Sequence, residues 1–272
     1  SYTTRCTAYI LGKGNEQMSL RDDFTFSQSS LQDFVDCPRR FELKYIDEVR
    51  YPALEAQPAL EFEKRMRKGA HFHKMVEQYF AGVPADRLEQ SVADDPELSQ
   101  WWQDFMFEIA RRLSTPIGVE TTLQTMLGGY RLIAKYDAVM KSPNGHILIY
   151  DWKTAEDVYS RARLQHRMQT IVYPYVMAQA GSHFNDGEPI PPDHIHMVYR
   201  FRARAVTYDY SAEQMDKDEA TLQKLIADIE SASLFPLTDE TNHCRFCTYR
   251  SLCNRGDAAG DWNTDTFYED GG

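Results

Sequence analysis

The sequence predicts a mixed α+β fold in which helices flank a central mixed β-sheet. Two observations support this prediction: helical periodicity towards both ends of the chain, and a change to strand-like segments in its middle. The order is helices, a meander, a helix, two strands and a helix, which is typical of α+β proteins. With 272 residues, 42% of them hydrophobic, the chain can bury a core without disulfides.

Hydroxyl-rich and amphipathic segments predict where the helices begin. Ser27 to Ser30 offer hydroxyl groups that can accept the first free backbone N–H groups of a helix. Pro38 then predicts a break beside Cys37. Later helices are expected over residues 61–80, 98–113, 160–180 and 212–231, with a loop over 84–96.

Three segments rich in β-branched and aromatic residues predict strands over residues 117–127, 130–140 and 146–152. Gly128-Gly129 and Ser142-Pro143-Asn144-Gly145 separate them, and such short connections predict an antiparallel meander. Two further strands are expected over residues 194–201 and 205–210.

The composition limits the class of protein. A net charge of −11 excludes a uniformly basic coat for nucleic acid, although a local basic groove stays compatible with it. No stretch has the pattern of a membrane span or a signal peptide, so we expect a cytoplasmic protein that does not enter a membrane. Residues 1–24 are expected to form an extension and residues 256–272 an acidic tail.

A candidate catalytic group lies where the last strand of the meander ends, at Asp151-Trp152-Lys153. Strand alternation places Asp151 and Lys153 on one side. Asp137 lies near the middle of the preceding strand, so the two carboxylates are predicted to be neighbours that repel each other unless a cation such as Mg²⁺ or Mn²⁺ binds. The alternative is an ordinary solvated salt bridge, because Asp-x-Lys is common by chance.

Two helical pairs accompany this group. His73 and Glu77 share a helix face at spacing i, i+4, and Gln169 and Tyr173 do so on the helix that follows the Asp-x-Lys strand. Each pair taken alone is compatible with ordinary amphipathic helix residues.

Taken in order, Gly69…His73, Asp137, Asp151-Trp152-Lys153 and Gln169…Tyr173 resemble the motifs of the PD-(D/E)XK nuclease superfamily, in its RecB-like branch. The resemblance covers residues 25–255, with a helical insertion over about 61–113, and Ala134 stands where the family usually has glycine. It implies a restriction-endonuclease-like fold and DNA cleavage. It also implies roles for particular residues: His73, Asp137, Asp151 and the Trp152 backbone carbonyl would hold Mn²⁺ or Mg²⁺, Lys153 would position water, Glu77 would support a ligand, and Gln169 and Tyr173 would contact DNA.

The five cysteines are an odd number, which fits paired disulfides poorly. Clustered cysteines in a reducing compartment more often bind metal. Cys37, in the sequence Cys-Pro-Arg-Arg-Phe, and the C-x2-C-x5-C spacing of Cys244, Cys247 and Cys253 resemble the iron–sulfur RecB-like nucleases, which include CRISPR-associated exonucleases and AddB-type nuclease domains. The resemblance implies a 4Fe–4S cluster that joins the N-terminal helical part to the C-terminal tail. A zinc site that includes His243 is the alternative, and Cys6 is expected to be a free thiol.

Two arginine clusters are candidates for contacts with DNA phosphates: Arg161, Arg163 and Arg167, and then Arg200, Arg202 and Arg204. We expect the second cluster to alternate along one strand and to share one face. The alternative is a solvated charged surface. The sequence contains no Walker-type motif, so any helicase would be a separate chain.

These patterns together predict a metal-dependent exonuclease that acts on single-stranded DNA ends. Two cellular roles stay open: trimming CRISPR spacer precursors with an integrase as partner, or DNA repair and recombination. The competing hypothesis is a non-catalytic DNA-binding module that keeps the fold and the cluster. The intact set of Asp137, Asp151 and Lys153 favours the enzyme.

Overall fold

The computed structural model describes residues 20–49, 57–112, 115–154, 160–201 and 204–256. The expected extension and acidic tail lie almost wholly outside these ranges, as do Cys6 and Arg202, and the proposed division into domains stays a prediction. Among the described helices, none is long and apolar enough to cross a membrane.

The described residues form one mixed sheet of six strands, which confirms the predicted α+β class. The central strand β3 pairs antiparallel with both β2 and β4, as the meander predicted. Strand β5 joins β4 in parallel, and β6 returns antiparallel to β5. The strands are β1 Thr25–Ser27, β2 Gly118–Leu127, β3 Tyr130–Lys141, β4 Ile147–Trp152, β5 Ile195–Arg200 and β6 Ala205–Asp209.

One edge of β3 is shared by two strands. Strand β1 pairs in parallel with residues 131–133, and β4 pairs with residues 138–141. Residues 134–137 lie between these two ladders and have no strand partner on this edge among the described pairs. Asp137 is the last of them, so the split places a carboxylate beside an opening in the sheet.

Eight α-helices of the described chain pack around the sheet. The first begins where predicted, because Ser27 and Ser30 form a reciprocal cap in which each side chain accepts the other residue's backbone N–H. The second begins at Pro38, after the expected break at Cys37. The helices are α1 Gln28–Asp36, α2 Pro38–Phe41, α3 Gln57–Phe80, α4 Ala85–Ser91, α5 Pro96–Arg112, α6 Arg161–Gln165, α7 Met168–Ala180 and α8 Ala212–Glu230.

The predicted loop over 84–96 was wrong, because it contains α4. Its apolar residues Leu88 and Val92 are buried against α3 and α5. Two apolar residues at spacing i, i+4 were enough to stabilise a short helix once a packing surface was available.

The single helix predicted over 160–180 was also wrong, because the chain forms α6 and α7 with an extended residue, Arg167, between them. Two side chains satisfy the backbone groups freed by this break. Thr170 Oγ1 donates to the Leu164 carbonyl at 2.6 Å, and Met168 N–H donates to Gln32 Oε1 at 3.0 Å. Gln32 belongs to α1, so a tertiary contact determines where α7 begins.

The two faces of the sheet bury separate hydrophobic clusters. Helices α1, α7 and α8 cover one face, while α3, α4 and α5 cover the other. Tyr136 and Val139 belong to the first cluster, whereas Ala138 and Met140 belong to the second. Side chains of a regular strand alternate between the two faces of the sheet, so residues 136 and 139 should point to opposite faces. They point to the same face, which means that the alternation is interrupted at Asp137. The sheet is therefore distorted at the position of the predicted catalytic carboxylate.

Candidate active site

Asp137 and Asp151 are brought together at the point where β3 and β4 separate. Ala138 and Tyr150 form the last register pair of the two strands, so these aspartates come next in line. The backbone N–H of Trp152 donates to Asp137 Oδ2 at 2.9 Å, which holds this carboxylate beside the end of β4. The structure thus places the two residues as neighbours, as the meander predicted.

A histidine and a second acid complete a possible cation site around Asp137. His73 Nδ1, on α3, lies 3.3 Å from Asp137 Oδ2. Possible ligand atoms of His73, Glu120 and Asp137 all lie within 4.8 Å of one another. Two carboxylates and one imidazole form a donor set compatible with Mn²⁺, and carboxylates are also the ligands that Mg²⁺ accepts.

Glu120 is the residue of this group that the sequence analysis missed. It has a positive φ of 49°, a left-handed conformation that is unfavourable for a residue with a side chain. The pairs Val119–Ala138 and Thr121–Tyr136 flank it, so its position lies opposite Asp137. Applying the hairpin register to both predicted strands would have found this carboxylate, whereas a motif search along the chain could not.

Asp151, Lys153 and Gln169 form a closed triangle of polar contacts. Lys153 Nζ lies 3.0 Å from Asp151 Oδ2 and donates to Gln169 Oε1 at 2.9 Å, while Gln169 Nε2 donates to Asp151 Oδ1 at 2.5 Å. All three residues are buried, with exposed fractions of 4%, 6% and 4%. Asp151 and Lys153 thus lie on the same side of the strand, as predicted. Gln169 contacts both of them, one through its side-chain nitrogen and the other through its side-chain oxygen.

The two aspartates differ in how strongly they retain a proton. Burial raises the pKa of Asp151 to about 6, since the attraction of Lys153 only partly offsets it and the charge of Asp137 adds to it. Burial also acts on Asp137, but the charge of His73 and hydrogen bonds from His73 and Trp152 lower the pKa of Asp137 below its usual value. Asp151 therefore retains a proton more readily, and a cation could replace that proton.

Tyr173 lies beside the triangle and lines the same cleft. Its backbone carbonyl accepts a hydrogen bond from Tyr136 Oη at 3.0 Å, and the two rings pack edge to face at 5.1 Å. Burial raises the pKa of Tyr173 well above its usual value. Glu77 also lines the cleft, where its carboxylate lies 2.6 Å from Lys74 Nζ.

The cleft around these residues has a volume of about 590 Å³. The N-terminus of α1 opens into it, and Lys74, Lys135 and Lys153 line it. Helix N-termini and lysines both attract anions, so the cleft can accept a phosphate even though the chain as a whole is acidic.

The arginines are arranged differently from the prediction. Strand β5 ends at Arg200, and Phe201 N–H donates to the Arg204 carbonyl in the turn that follows. The expectation that Arg200, Arg202 and Arg204 alternate along one strand was therefore wrong, because a turn separates the first from the last. Arg200 Nη2 lies 2.8 Å from Glu108 Oε2, while Arg204 is exposed.

The first arginine cluster lies on α6 and at the start of α7. Arg161 donates to the Thr207 carbonyl at 2.7 Å and stacks over the Tyr208 ring at 4.6 Å. Arg163 belongs to α6, and Arg167 precedes α7. Contact between these arginines and DNA stays a prediction.

The cysteines predicted to bind a cluster converge from the two ends of the domain. Cys37, Cys244, Cys247 and Cys253 line one small pocket together with Arg40 and Arg255. Burial raises the pKa of Cys253 to about 11, and the neighbouring thiols of Cys247 and Cys37 add to this shift. The pocket is thus a converging set of four thiols.

The sequence profile of the PD-(D/E)XK nuclease superfamily matches residues 25–254. This chain belongs to the PD-(D/E)XK nuclease superfamily. PD-(D/E)XK nucleases hydrolyse phosphodiester bonds of DNA with the help of divalent metal ions, so the chain is a nuclease with a DNA substrate.

Two solved structures are similar to this PD-(D/E)XK nuclease. The crystal structure of SSO0001 has a TM-score of 0.41 and 16% identity, with 92% of each chain covered. A protein from Eubacterium rectale named "Putative exonuclease" has a TM-score of 0.48 and 13% identity, with 90% of this chain and 94% of the other covered. No curated protein matches the chain.

The contacts of Gln169 in this PD-(D/E)XK nuclease predict that Gln169→Leu impairs turnover more than DNA binding. The substitution removes both hydrogen bonds that orient Asp151 and Lys153, and such supporting contacts typically contribute about 10- to 100-fold to activity. We expect kcat to fall by that factor on single-stranded DNA with saturating Mn²⁺, while KM changes little.

Gln223→Leu is the matched control, because Gln223 is exposed on α8 and donates to Glu219 Oε1 on the same helix. It should leave both constants unchanged. A raised KM with an unchanged kcat in Gln169→Leu would contradict the positioning role and favour direct contact with DNA.

Proposed function

We propose that this chain is an exonuclease of the RecB-like branch that cleaves single-stranded DNA from its ends. The buried triangle of Asp151, Lys153 and Gln169 beside Asp137 is the observation that carries the proposal. A lysine and two carboxylates in a water-poor site serve hydrolysis of a phosphate ester, in which negative charge develops on the phosphate oxygens. A module that only bound DNA would gain nothing from carboxylates in its cleft, because they repel the phosphates of the backbone.

The proposed metal site comprises His73, Asp137, Asp151 and the Trp152 backbone carbonyl, and Glu120 joins it. The residues fit a hard divalent cation, because ligand atoms of His73, Glu120 and Asp137 lie within 4.8 Å of one another and Asp151 lines the same cleft next to Asp137. When bound, Mn²⁺ or Mg²⁺ would supply a Lewis acid that polarises the phosphate and acidifies water. Trp152 N–H keeps one Asp137 oxygen oriented through a hydrogen bond.

Lys153 has a defined task in this arrangement. Asp151 and Gln169 hold its ammonium group in place, so it can hold the attacking water and stabilise charge on the phosphate without first being reoriented. The N-terminus of α1 lies in the same cleft and would bind a neighbouring phosphate. Lys135 Nζ lies 2.5 Å from Glu120 Oε2, so Lys135 would turn to a phosphate when a cation takes the Glu120 carboxylate. Gln169 and Tyr173 resemble the Gln-x-x-x-Tyr element of the RecB-like branch. This resemblance is the reason for proposing single-stranded DNA ends as the substrate.

The same proposal assigns a 4Fe–4S cluster to Cys37, Cys244, Cys247 and Cys253. Four thiols converge on one pocket beside Arg40 and Arg255, whose positive charge would offset that of a thiolate-bound cluster. A single zinc ion, at about 2.3 Å from each ligand sulfur, needs sulfurs about 3.8 Å apart. A 4Fe–4S cluster differs from one zinc ion in metal content, so iron, sulfide and zinc analysis of the purified protein separates the two.

A cleavage assay with matched linear and circular single-stranded DNA tests the proposal. We expect Mn²⁺ to support stepwise shortening of end-labelled linear single strands, little loss of the circle, and complete inhibition by EDTA. Cleavage of the circle at an equal rate would show an endonuclease. DNA binding without cleavage, with Mn²⁺ and Mg²⁺ alike, would instead show a non-catalytic module. If exonuclease activity is found, the genes that lie next to the gene for this chain would distinguish two roles. An integrase gene would favour trimming of CRISPR spacers, and a helicase gene would favour DNA repair.

A further inference from the structure

A second cavity of about 310 Å³ lies on the other side of the strand that carries the catalytic residues. Helix α5 forms one wall. Strands β4 and β5 form the other wall, with the face of the sheet that α3, α4 and α5 cover. Trp152 and Lys153 line both this cavity and the catalytic cleft, so the two spaces adjoin at the end of β4. Its volume lies within the range of sites that bind small molecules.

Aromatic side chains dominate the cavity wall. Phe105 and Trp152 pack edge to face with centroids 5.7 Å apart, and Tyr150 stacks near Trp152 at 5.9 Å. Phe72 and Trp101 continue this surface. Flat aromatic surfaces next to a DNA-cleaving site suit a planar, uncharged group, since bases stack on aromatic rings without regard to sequence.

The polar groups of the cavity argue against a phosphate. Asp104 and Glu108 contribute carboxylates, and the guanidinium of Arg200 is bound by Glu108 at 2.8 Å. Carboxylates repel phosphate but accept hydrogen bonds from the amino groups of adenine, cytosine and guanine. Both spaces contain carboxylates, but those of the catalytic cleft lie among three lysines, a histidine and the N-terminus of α1, whereas aromatic rings dominate the cavity. The cleft therefore suits the backbone and the cavity suits a base.

We propose that this cavity binds one unpaired nucleobase of the strand whose phosphate lies in the catalytic cleft. The inference rests on the proposed nuclease function and adds a base-binding subsite to it. Trp152, Phe72, Trp101 and Phe105 are at most 5% exposed, whereas Tyr150 is half-buried. Stacking on Tyr150 would fix the register of the strand relative to Lys153. An unpaired strand can turn a base into the cavity without the cost of unpairing that a duplex pays, so the subsite would favour single strands.

The test uses single-stranded oligonucleotides that carry one abasic residue at successive positions. Stacking of one base contributes roughly 10- to 100-fold, so we expect kcat/KM to fall by that factor at one position relative to the scissile phosphate. Ala205→Phe should fill the cavity from its exposed rim, slow cleavage of normal DNA, and make the enzyme indifferent to the abasic residue. Ala220→Phe, on the exposed face of α8, is the matched control and should behave like the parent.

A binding measurement keeps this inference separate from the proposed activity. The fluorescent base 2-aminopurine, placed at the sensitive position with Ca²⁺ replacing Mn²⁺, should be quenched by the parent protein and not by Ala205→Phe. If the protein did not cleave DNA, so that no sensitive position could be located, 2-aminopurine would be placed at each position of the strand in turn. Active enzyme with equal rates for every abasic substrate would overturn the subsite and leave the nuclease standing. Absence of all cleavage would overturn the proposed function, and the quenching pattern alone would then decide the subsite.

Discussion

Lys153→Met is expected to lower the rate of DNA cleavage by about 10³-fold or more, while DNA binding is largely retained. Methionine replaces the unbranched stem of the lysine side chain but removes the ammonium group that Asp151 and Gln169 hold in place. Single-turnover cleavage of end-labelled DNA would measure the rate, and binding would be measured with Ca²⁺ in place of Mn²⁺. Lys141→Met is the matched control, since Lys141 lies at the far end of β3 and pairs at 3.5 Å with the exposed Asp186.

Asp151→Asn should lower the rate of cleavage as strongly as Lys153→Met does. The same variant also tests how Asp151 affects the stability of the folded protein. In its folded state Asp151 has a pKa of about 6, above the ordinary value of about 3.9 for an unfolded chain. The folded state therefore binds the Asp151 proton more tightly than the unfolded chain does. This contribution to the free energy of unfolding is fully present below pH 4 and is lost as the pH rises through 6. Without metal at pH 7.5 the variant should unfold at a temperature no lower than the parent does.

Two results would contradict this assignment. Near-normal cleavage by folded Asp151→Asn or Lys153→Met would move the active site elsewhere. Equal loss of cleavage and of binding would show that these residues hold DNA rather than act on it.

Cys37→Ala is expected to remove the proposed iron–sulfur cluster and to lower stability substantially. Cys37 is buried at the start of α2, about 200 residues before the other three thiols in sequence. A crosslink that closes so long a loop restricts the unfolded chain by about 3–5 kcal/mol when it is a disulfide, and a cluster constrains the same ends. Parent protein purified without oxygen should be brown, with about four irons and four sulfides per chain.

Cys6→Ala is the control for this substitution, because Cys6 lies apart from the four converging cysteines in sequence. It should keep the colour, the iron content and the unfolding temperature of the parent. Colourless parent protein with one zinc per chain would refute the cluster while leaving the nuclease site intact. Colour retained in Cys37→Ala but lost in Cys6→Ala would identify Cys6 as the ligand.

Local chemistry determined much of this molecule. Glycine-rich turns between three short β-rich segments specified the meander, and the period of two along β4 specified that Asp151 and Lys153 share a side. Ser27 and Pro38 marked helix starts because their effects act within one turn. These features could be read from the sequence because each depends on residues only a few positions apart.

Only the tertiary structure decided the features that depend on distant segments. Gln32 of α1 binds the first N–H of α7, so the break before α7 depends on a partner more than 130 residues away in sequence. Glu120 reaches the site through a left-handed backbone opposite Asp137, which no local propensity favours. Gln169 became a buried partner of Asp151 and Lys153 only when α7 packed on the sheet. The sequence by itself determined which chemical groups are available, and packing decided which of them meet, because a contact between remote segments forms only when burial of the surrounding core offsets the entropy lost in closing the loop.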